Sequence, residues 1–455
     1  MTAQELMELM EKRSFSALKT GLSEMHAGDI AEILEELSPE GILQCFRLLP
    51  KELAAEVFVE MNSDDQEKLI SSFTDAELHA VVTELYVDDT VDIIEEMPAS
   101  VVRRILAAAD PAQRRSVNEI LRYPKDSAGS IMTTEYVSLL ADMTVEEAFA
   151  KIKKTGPDSE TIYTCYVLSP GRQLLGTVSA KQLLLSPLEK KIDEIMETNL
   201  LFAYTDDDRE QAVATIRDYG LLALPITDRE QRMVGIVTVD DALDVITEES
   251  EEDFSVMAAI TPSGDSYLKT GVFKLWGSRI PWLLLLMVSA TFTGMIITGF
   301  EDRLSSFTVL TAFIPMLMDS GGNSGSQASV TVIRALSLGD VIPRDILKVL
   351  WKEIRVAVLC GVVLSVANFG KMMLVDRLLL GNAGVTPIVA AVVCTTLALT
   401  VLVAKSIGCS LPILAKKIGF DPAVMASPFI TTIVDALSLL IYFSVSALLI
   451  PGFGG

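Results

Sequence analysis

The sequence predicts a multidomain protein of the α plus α/β class, and three observations lead to this prediction. A hydrophobic residue recurs every twelve positions over residues 24–122, which is typical of a helical-repeat domain. Two similar stretches open at Met132 and Met196 and predict a tandem pair of α/β units. Five long apolar runs within residues 276–455 predict a five-helix transmembrane domain.

The N-terminal domain is placed at residues 1–126, and its repeat keeps a strict register. The recurring positions are Leu37, Leu49, Met61, Phe73, Leu85, Met97 and Ala109. The residue that follows usually starts or breaks a helix, as Pro50, Asn62 and Thr74 do. We therefore predict helices of about nine residues, each ended by a turn, that share a core with their neighbours, because helices this short are not stable alone.

The charge of the chain is distributed unevenly. Residues 1–270 contain 52 Asp and Glu against 24 Lys and Arg, whereas residues 271–455 contain 9 against 13. A soluble region this acidic is not expected to bind nucleic acid and should attract cations, although solubility explains part of the charge. The five cysteines form no CxxC pair and only two histidines occur, so carboxylates that bind a hard cation such as Mg²⁺, Ca²⁺ or Mn²⁺ are favoured over a zinc site.

Two acidic segments are candidate cation sites. Asp88 and Asp92 are four residues apart and share one helical face. The connector that we place at residues 247–275 carries a run of carboxylates that includes Glu249, Glu252 and Asp253. Both segments are either solvated acidic surfaces or cation sites. In the connector, repulsion between neighbouring carboxylates favours multivalent cations.

The α/β units are placed at residues 127–190 and 191–246, and each is predicted to run helix, strand, turn, strand, helix. The strands of the first unit fall within 161–179, and those of the second fall within 222–227 and 233–243. This pattern resembles a tandem of cystathionine-β-synthase (CBS) domains, most clearly in the second copy.

The CBS resemblance implies a regulatory module, and such pairs commonly bind adenine nucleotides such as ATP. Ser179 in the first copy, and Thr238 and Asp241 in the second, match positions that contact phosphate or ribose in that family. The first copy departs from the pattern because it has Gln182 in place of the acid.

The apolar runs are residues 281–299, 307–333, 356–368, 387–404 and 423–450. Each run with its flanks is long enough for roughly 20 residues of helix across about 30 Å of hydrocarbon. Eleven Lys and Arg residues near the helix ends, Lys269 among them, fall on one predicted side, and three fall on the other. The positive-inside rule therefore predicts a multi-pass protein of the cell (inner) membrane with a cytoplasmic N-terminus and an external C-terminus.

The second apolar run contains a polar patch that includes Asp319, Gly322, Asn323 and Gln327. Hydrocarbon offers no hydrogen-bond partners, so this patch needs a wet or protein-lined environment. Close helix packing through Gly and Ser is the alternative, but packing does not require Asp319, Asn323 and Gln327 together. We predict that the patch lines a pore.

The fifth apolar run contains a lone acid, Asp435. No basic residue occurs in that span, so a buried structural acid is hard to justify and a pore role is predicted. Asp421 and Pro422 open the same helix. We expect Asp421 to cap the helix with one oxygen and to keep the other oxygen free for a cation.

The order of these elements resembles the MgtE family of magnesium channels over nearly the whole chain. It comprises the helical repeats, a Tyr-Pro-x-Asp-Ser-Ala-Gly boundary at 123–129, two CBS units, the acidic connector and five spans. The resemblance implies a homodimer with a pore on the two-fold axis, in which Asp435 holds hydrated Mg²⁺ and Asn323 lines the pore. It also implies that Mg²⁺ bound among the helical domain, the CBS pair and the connector closes the pore.

The resemblance further implies a set of metal ligands in every region of the chain. They are Glu56, Asp88 and Asp92 in the helical domain, Asp208, Asp241 and Asp244 in the CBS pair, Glu249, Glu252 and Asp253 in the connector, Asp421 at the membrane face and Asp435 in the pore. The chain has Gly220 where some members have Asp, so one cytoplasmic site is expected to be weaker or absent.

Two other functions stay open at this point. A carrier coupled to Na⁺ or H⁺ often shows inverted repeats, and the five unequal runs show none. A membrane-anchored CBS nucleotide sensor without transport would leave Asp435 and Asn323 unexplained. The sequence has no phosphate-binding GxxxxGK[ST] loop, and we expect a channel rather than an enzyme.

Overall fold

The computed structural model describes residues 1–262, 267 and 270–453. These residues form two compact units, Met1–Thr247 and Glu248–Gly455. Part of the predicted connector, residues 263–266 and 268–269, lies outside the described residues, and Lys269 with it.

The first unit begins with ten short helices of eight to ten residues. They are α1 (Ala3–Glu11), α2 (Phe15–Ser23), α3 (Ala27–Leu34), α4 (Pro39–Phe46), α5 (Lys51–Val59), α6 (Ser63–Ser72), α7 (Asp75–Val82), α8 (Val87–Glu96), α9 (Ala99–Ala108) and α10 (Pro111–Ile120). The predicted helix length is confirmed, and each residue after a recurring position is the N-cap of the next helix, as Asn62 and Thr74 are. The helices α1 and α2 precede the predicted start of the repeat.

Helices two positions apart in the chain pack together in the repeat region. Helix α5 contacts α3 and α7, α7 contacts α9, and α4 and α8 contact α6 and α10 respectively. The recurring residue ends each helix and is buried in this stack at Met61, Phe73 and Leu85. Each helix therefore buries its apolar face against the next-but-one helix, and the stack supplies the stability that single helices lack.

The two α/β units of the first compact unit have the same topology. The first contains β1 (Tyr136–Leu140), α11 (Val145–Thr155), β2 (Thr161–Leu168), β3 (Leu174–Ser179) and α12 (Ala180–Leu185). The second contains β4 (Ala203–Tyr204), α13 (Arg209–Tyr219), β5 (Ala223–Thr227), β6 (Met233–Thr238) and α14 (Val239–Met257). In each sheet the first strand is parallel to the second, and the second is antiparallel to the third. The prediction missed the first strand of both units.

The two α/β units exchange their entry segments. Thr133, which precedes the first unit, pairs with Ile236 on β6 of the second unit through backbone hydrogen bonds of 2.8 and 2.9 Å. Glu197, which precedes the second unit, pairs in the same way with Thr177 on β3 of the first. A side chain at Gly235 would place its Cβ 2.5 Å from the Thr133 carbonyl oxygen, so only glycine permits this approach.

The second compact unit contains five long helices and one short helix among the described residues. They are α15 (Val272–Gly299), α16 (Glu301–Ser306), α17 (Ile314–Ser337), α18 (Ile346–Lys371), α19 (Pro387–Lys417) and α20 (Ser427–Leu449). The five long helices coincide with the five apolar runs. In the described part of the chain, four segments are long and apolar enough to cross a membrane: Val272–Gly299, Pro343–Leu379, Pro387–Lys417 and Pro422–Leu449. The crossing of α17, which carries the polar patch, stays a prediction.

Helices α17, α19 and α20 pack closely around small residues. The Gly325 carbonyl of α17 leaves no room for a side chain at Gly408 of α19, and a Cβ at Gly325 would lie 2.8 Å from Ile430 of α20. Helix α18 packs on α19, and α15 packs along α20. Close approach of this kind is typical of helix packing in membranes.

The acidic connector begins within a helix that it shares with the second α/β unit. Helix α14 begins at Val239, as the last helix of the second α/β unit, and continues without a break through residue 247 to Met257. The carboxylates expected on a separate connector helix, Glu249, Glu252 and Asp253, are therefore on the second half of α14.

Candidate metal sites and pore residues

Three carboxylates come together in the first compact unit. One oxygen each of Asp88, Glu135 and Glu160 lies within 4.8 Å of the other two. Asp88 is in the first turn of α8, Glu135 immediately precedes β1, and Glu160 immediately precedes β2. We call these three residues, with the neighbouring Asp89 and Asp241, the acidic cluster.

Burial and mutual repulsion oppose ionisation of the acidic cluster. Burial raises the pKa of Asp88 well above its ordinary value, and the charge of Asp241 raises it further. The same two causes raise the pKa of Glu160 to about 8 and that of Asp89 to about 7. Burial also raises the pKa of Asp241 to about 6, although a hydrogen bond from the Thr238 hydroxyl opposes this shift. A cation at the cluster would relieve this repulsion.

Hydrogen bonds hold part of the acidic cluster and leave part of it available. Glu135 accepts hydrogen bonds from the Val87 backbone N–H at 3.1 Å and the Thr133 hydroxyl at 3.3 Å. Glu160 Oε2 is enclosed and has no hydrogen-bond partner among the described residues. An all-carboxylate donor set with an unpartnered oxygen fits a hard divalent cation.

The structure brings together some of the predicted ligands of the first unit and separates others. Asp88 and Asp241 lie close enough to repel each other. Glu56 and Asp92 are exposed, and neither belongs to the three-carboxylate group. Asp208 is the N-cap of α13 and accepts from the Glu210 backbone N–H at 2.8 Å. The pKa of Asp244 is raised by burial and then by the charge of Asp240.

Sequence reasoning missed Glu135 and Glu160 because neither stands in a periodic pattern or in an acidic run. Each is a single acid immediately before a strand. The tertiary fold places both strand starts beside α8. A signal in the sequence was that each acid stands directly before one of the first two strands of the same unit, which could have identified both as candidate ligands.

The predicted nucleotide residues cap helices in this structure. The Ser179 hydroxyl and backbone N–H donate to Gln182 Oε1 at 2.8 and 2.7 Å. The Thr238 hydroxyl donates to Asp241 in the equivalent place. Gln182 therefore replaces the acid without loss of the cap. Gly220 ends α13 with φ at +62°, which explains a glycine at this position.

A second acidic pair lies where α14, α17 and the segment before α20 meet. Asp253 accepts a hydrogen bond from the Ser337 hydroxyl at 3.2 Å. Burial raises the pKa of Asp253, and the charge of Asp421 raises it further. Val256 and Met257 of α14 pack against a buried group formed by Ile333, Ala423 and Ala426.

Asp421 has the predicted capping role. Its Oδ1 accepts from the Ala423 backbone N–H at 2.7 Å, and it caps the turn Pro422–Met425 that precedes α20. Glu249 and Glu252 lie further back on α14, partly buried and exposed respectively. An approach of these four acids to Asp208, Asp241 and Asp244 stays a prediction.

The polar patch divides between two faces of α17. Asp319, Asn323 and Gln327, four residues apart, are exposed on one face. Gly322 is buried on another face, where a Cβ would lie 2.8 Å from Thr431 Cγ2 on α20. Gly322 therefore serves helix packing and is not part of the polar row formed by Asp319, Asn323 and Gln327.

Asp435 lies on α20 beside this polar row. The residue is half-buried, and its Oδ1 is enclosed without a hydrogen-bond partner among the described residues. The charge of Asp319 on α17 acts on the Asp435 carboxylate. Oδ1 of the Asp435 carboxylate is therefore enclosed, whereas other atoms of the residue are exposed at the surface of the single chain.

A carboxylate in an apolar helix, a polar row beside it and an acidic N-terminal region are typical of a membrane transporter for cations. Sequence profiles agree. The divalent cation transporter family MgtE matches residues 314–445, the MgtE intracellular N domain matches 25–126, and CBS domains match 128–189 and 192–248.

Relatives extend the agreement to the whole chain. The magnesium transporter MgtE of Thermus thermophilus is 35% identical over 452 residues, 98% of each chain. That of Bacillus subtilis is 32% identical over 432 residues, 92% of this chain and 93% of its own length. The chain belongs to the MgtE family of magnesium transporters, which are membrane proteins and not enzymes.

Solved structures resemble the soluble part of the chain. The cytosolic domain of the Mg²⁺ channel MgtE in complex with ATP has 35% identity and a TM-score of 0.51, and it covers 53% of this chain and 99% of that one. The soluble part of a magnesium transporter has 27% identity and a TM-score of 0.51, and it covers 55% and 98% respectively. The predicted family and fold class are therefore confirmed.

Proposed function

We propose that this protein is a channel that carries Mg²⁺ across a membrane, with Asp435 as its principal pore ligand. The observation that carries the proposal is a half-buried carboxylate on an apolar helix beside a row of exposed polar side chains, Asp319, Asn323 and Gln327. Membership of a magnesium transporter family supports it.

The chemistry of the row suits a hydrated ion. Mg²⁺ gives up its water reluctantly, so it is best held through its waters by a few carboxylate and amide oxygens. A membrane potential that is negative inside drives entry with about 2.3 kcal/mol per charge per 100 mV. No coupled energy source is then needed.

A homodimer is the assembly that the exposed surfaces support. The polar row is exposed in a single chain, although it lies on a helix of an apolar unit. The first compact unit also exposes large apolar residues, including Leu184 at 72% and Leu185 at 76%. Two chains whose second units meet on a two-fold axis would enclose the polar row, and each would contribute an Asp435 to one pore. Contact between their first units would cover Leu184 and Leu185.

The topology that we propose has the N-terminus in the cytoplasm and the C-terminus outside, in the inner membrane. The predicted odd number of crossings and the excess of Lys and Arg on one predicted side support it. The acidic cluster then faces cytoplasmic Mg²⁺.

We infer that cytoplasmic Mg²⁺ closes the pore through the acidic residues. Asp88, Glu135, Glu160 and Asp241 would hold one ion, and Asp253 with Asp421 would hold another, together with Glu249 and Glu252. In both places the carboxylates oppose one another's ionisation, so an ion stabilises the arrangement in which they are close. Glu56, Asp92, Asp208 and Asp244 extend this set as further candidate ligands.

ATP is a candidate second regulator at the CBS pair. A structure of the cytosolic domain of the Mg²⁺ channel MgtE, 35% identical to this chain, holds ATP. In this chain Ser179, Thr238 and Asp241 are already engaged in helix caps. Binding to these side chains would therefore add to their capping role.

The test is a flux assay with the purified full-length protein in liposomes. External Mg²⁺ should enter under a negative inside potential, and entry should fall as internal Mg²⁺ is raised. Currents far above carrier turnover would distinguish a channel from a coupled carrier. Failure of the protein to pass any divalent cation would contradict transport and favour the nucleotide sensor.

A further inference from the structure

Helices α17 and α20 meet along a face of α17 that consists of small residues. A Cβ on Gly325 would lie 2.8 Å from Ile430 Cγ2, and a Cβ on Gly321 would lie 3.0 Å from Val434 Cγ1. These contacts set how closely the two helices approach each other. Apolar contacts are not directional, however, so they do not by themselves fix how far α17 is displaced along α20.

Two buried hydroxyl groups make directional contacts at the two ends of this glycine face. The Tyr442 hydroxyl of α20 donates to the Leu310 carbonyl, in the turn just before α17, at 2.9 Å. The Ser329 hydroxyl of α17 donates to the Met425 carbonyl, in the turn just before α20, at 2.8 Å. Tyr442 and Ser329 both have an exposed fraction of 0%. Each hydroxyl thus ties its own helix to the segment that leads into the other helix.

The contacts between the two helices follow one another in antiparallel order. In turn, Leu310, Gly321, Gly325 and Ser329 meet Tyr442, Val434, Ile430 and Met425. The two hydrogen bonds therefore lie beyond opposite ends of the glycine face. A displacement of α17 along α20 changes the length of both bonds, so both oppose it.

The polar row lies on the same turns of α17 as the glycine face. Gly321 stands between Asp319 and Asn323, and its neighbour across the interface, Val434, immediately precedes Asp435. A shift of one residue along a helix moves a side chain by about 1.5 Å. This exceeds the roughly 0.5 Å within which the groups of a binding site must be held. The register of α17 on α20 therefore decides how Asp435 and the polar row meet.

We propose that Tyr442 and Ser329 are positioning residues of the pore, whose two hydrogen bonds hold α17 in the register at which Asp435 and the polar row bind one ion. Both side chains are buried and act on the ion through Asp435 and the row. The inference rests on the proposed role of Asp435 in the pore. Its effect is on the Mg²⁺ concentration for half-maximal flux, because register changes the binding geometry. A residue that only supports the fold would change the number of working channels, and hence the maximal flux alone.

The experiment compares Tyr442→Phe, Ser329→Ala and the double variant in the full-length protein in liposomes. Tyr442→Phe removes the hydroxyl and keeps the ring, and Ser329→Ala removes only the hydroxyl. We expect each change to raise the Mg²⁺ concentration for half-maximal flux by about threefold, which corresponds to one average hydrogen bond between membrane helices. The double variant should raise it by about tenfold, since the two contacts oppose the same displacement.

The matched control is Ser444→Ala on α20. The Ser444 hydroxyl donates to the Leu440 carbonyl of its own helix at 2.6 Å, so its loss removes a hydrogen bond without releasing α17. The half-maximal concentration should stay at the parental value in this variant. A shift as large as that of the double variant would show that any lost hydroxyl in these helices has the same effect, and would overturn the inference.

Two further results would overturn the inference. The first is a parental half-maximal concentration in the double variant. The second is a fall in maximal flux and thermal stability with that concentration unchanged, which would make Tyr442 and Ser329 supports of the fold alone. Asp435→Asn in the same assay separates the two proposals. If it keeps the parental flux, the pore assignment fails as well, and if it abolishes flux while the double variant has no effect, only the present inference fails.

Discussion

The acidic cluster in the first compact unit and the Asp435 region in the second both contain a carboxylate oxygen without a hydrogen-bond partner among the described residues. They differ in the charge around that oxygen. Glu160 is repelled by Asp241, Asp89, Asp240 and Glu135, whereas Asp435 has one such neighbour, Asp319. Several carboxylates close together bind a cation firmly, and their repulsion moves the segments that carry them apart when the cation leaves. The Asp435 region has only Asp319 as a second carboxylate beside the neutral amides of Asn323 and Gln327, so it should bind an ion weakly enough to release it. The acidic cluster therefore suits regulation by bound Mg²⁺, and the Asp435 region suits passage of Mg²⁺.

The largest effect is expected from Asp435→Asn, which removes a charge from the proposed pore and leaves the acidic cluster intact. Flux of Mg²⁺ into liposomes should fall by about a hundredfold or more, because a lone charge at membrane depth dominates the local field. Protease protection of residues 1–247 by Mg²⁺ should not change. Residual flux near the parental value would remove Asp435 from the pore.

The second prediction concerns a variant that changes the acidic cluster and leaves the Asp435 region intact. The triple change Asp88→Asn, Glu135→Gln and Glu160→Gln should raise the internal Mg²⁺ concentration that closes the pore by at least about tenfold, equivalent to 1.4 kcal/mol of lost coupling. Maximal flux at low internal Mg²⁺ should match the parent. The measurement is flux against internal Mg²⁺.

The matched control for this triple variant is Glu52→Gln, which changes an exposed acid of α5 outside the three-carboxylate group. It should shift closure little. Closure at the parental concentration in the triple variant would mean that the acidic cluster does not sense Mg²⁺. A reduction in maximal flux in the triple variant would show that the acidic cluster also affects permeation through the pore.

The third prediction concerns pH in the absence of Mg²⁺. The folded pKa values of Glu160, Asp89 and Asp241, about 8, 7 and 6, lie above those of the unfolded chain. The folded state therefore binds more protons, and stability present at low pH is lost as pH rises through these values. The chelator-treated protein should be more resistant to protease within residues 1–247 at pH 5.5 than at pH 8.5.

Added Mg²⁺ sharpens this third prediction, because an ion replaces protons as the partner of the carboxylates. Protection by Mg²⁺ should be larger at pH 8.5 than at pH 5.5. The triple variant of the acidic cluster should lose the part of the pH dependence that Glu160 contributes and keep the part that Asp89 and Asp241 contribute. Equal protease resistance at both pH values in the parent would show that the cluster does not strain the folded state.

The smallest effect is expected at the polar row. Asn323→Ala should reduce flux by about two- to fivefold, since it removes one amide that donates to and accepts from the ion's water. Ser326→Ala, on the same helix and only partly buried, should change flux less. Equal and negligible effects would assign Asn323 to packing.

The sequence was most informative where a residue pattern follows the helix period. The twelve-residue repeat predicts helix length and N-caps because one helix and one turn fill each period. The four-residue spacing of Asp319, Asn323 and Gln327 likewise predicts a shared face. Gly322 belongs to the same patch in sequence but lies on another face of α17, and its role in a pore stays a prediction.

The parts that escaped prediction depend on contacts between distant segments. Glu135 and Glu160 join Asp88 only through the fold of the first unit, and neither carries a local signal. The strands β1 and β4 are five and two residues long and gain their hydrogen bonds from later strands. Helix α14 runs through the expected start of the connector without a glycine or proline, so no local residue predicts that the two segments share one helix.

The exchanged entry segments of the CBS pair have a consequence for synthesis. Thr133 leaves the ribosome about a hundred residues before Ile236, the residue with which it pairs. The entry segment of the first α/β unit therefore stays unpaired until β6 of the second α/β unit has been translated. Neither unit can complete its hydrogen bonding alone, so a truncation after residue 190 should yield an incomplete product and not an independent module. Because each α/β unit supplies backbone hydrogen bonds to the other, we expect the two to fold as one cooperative unit.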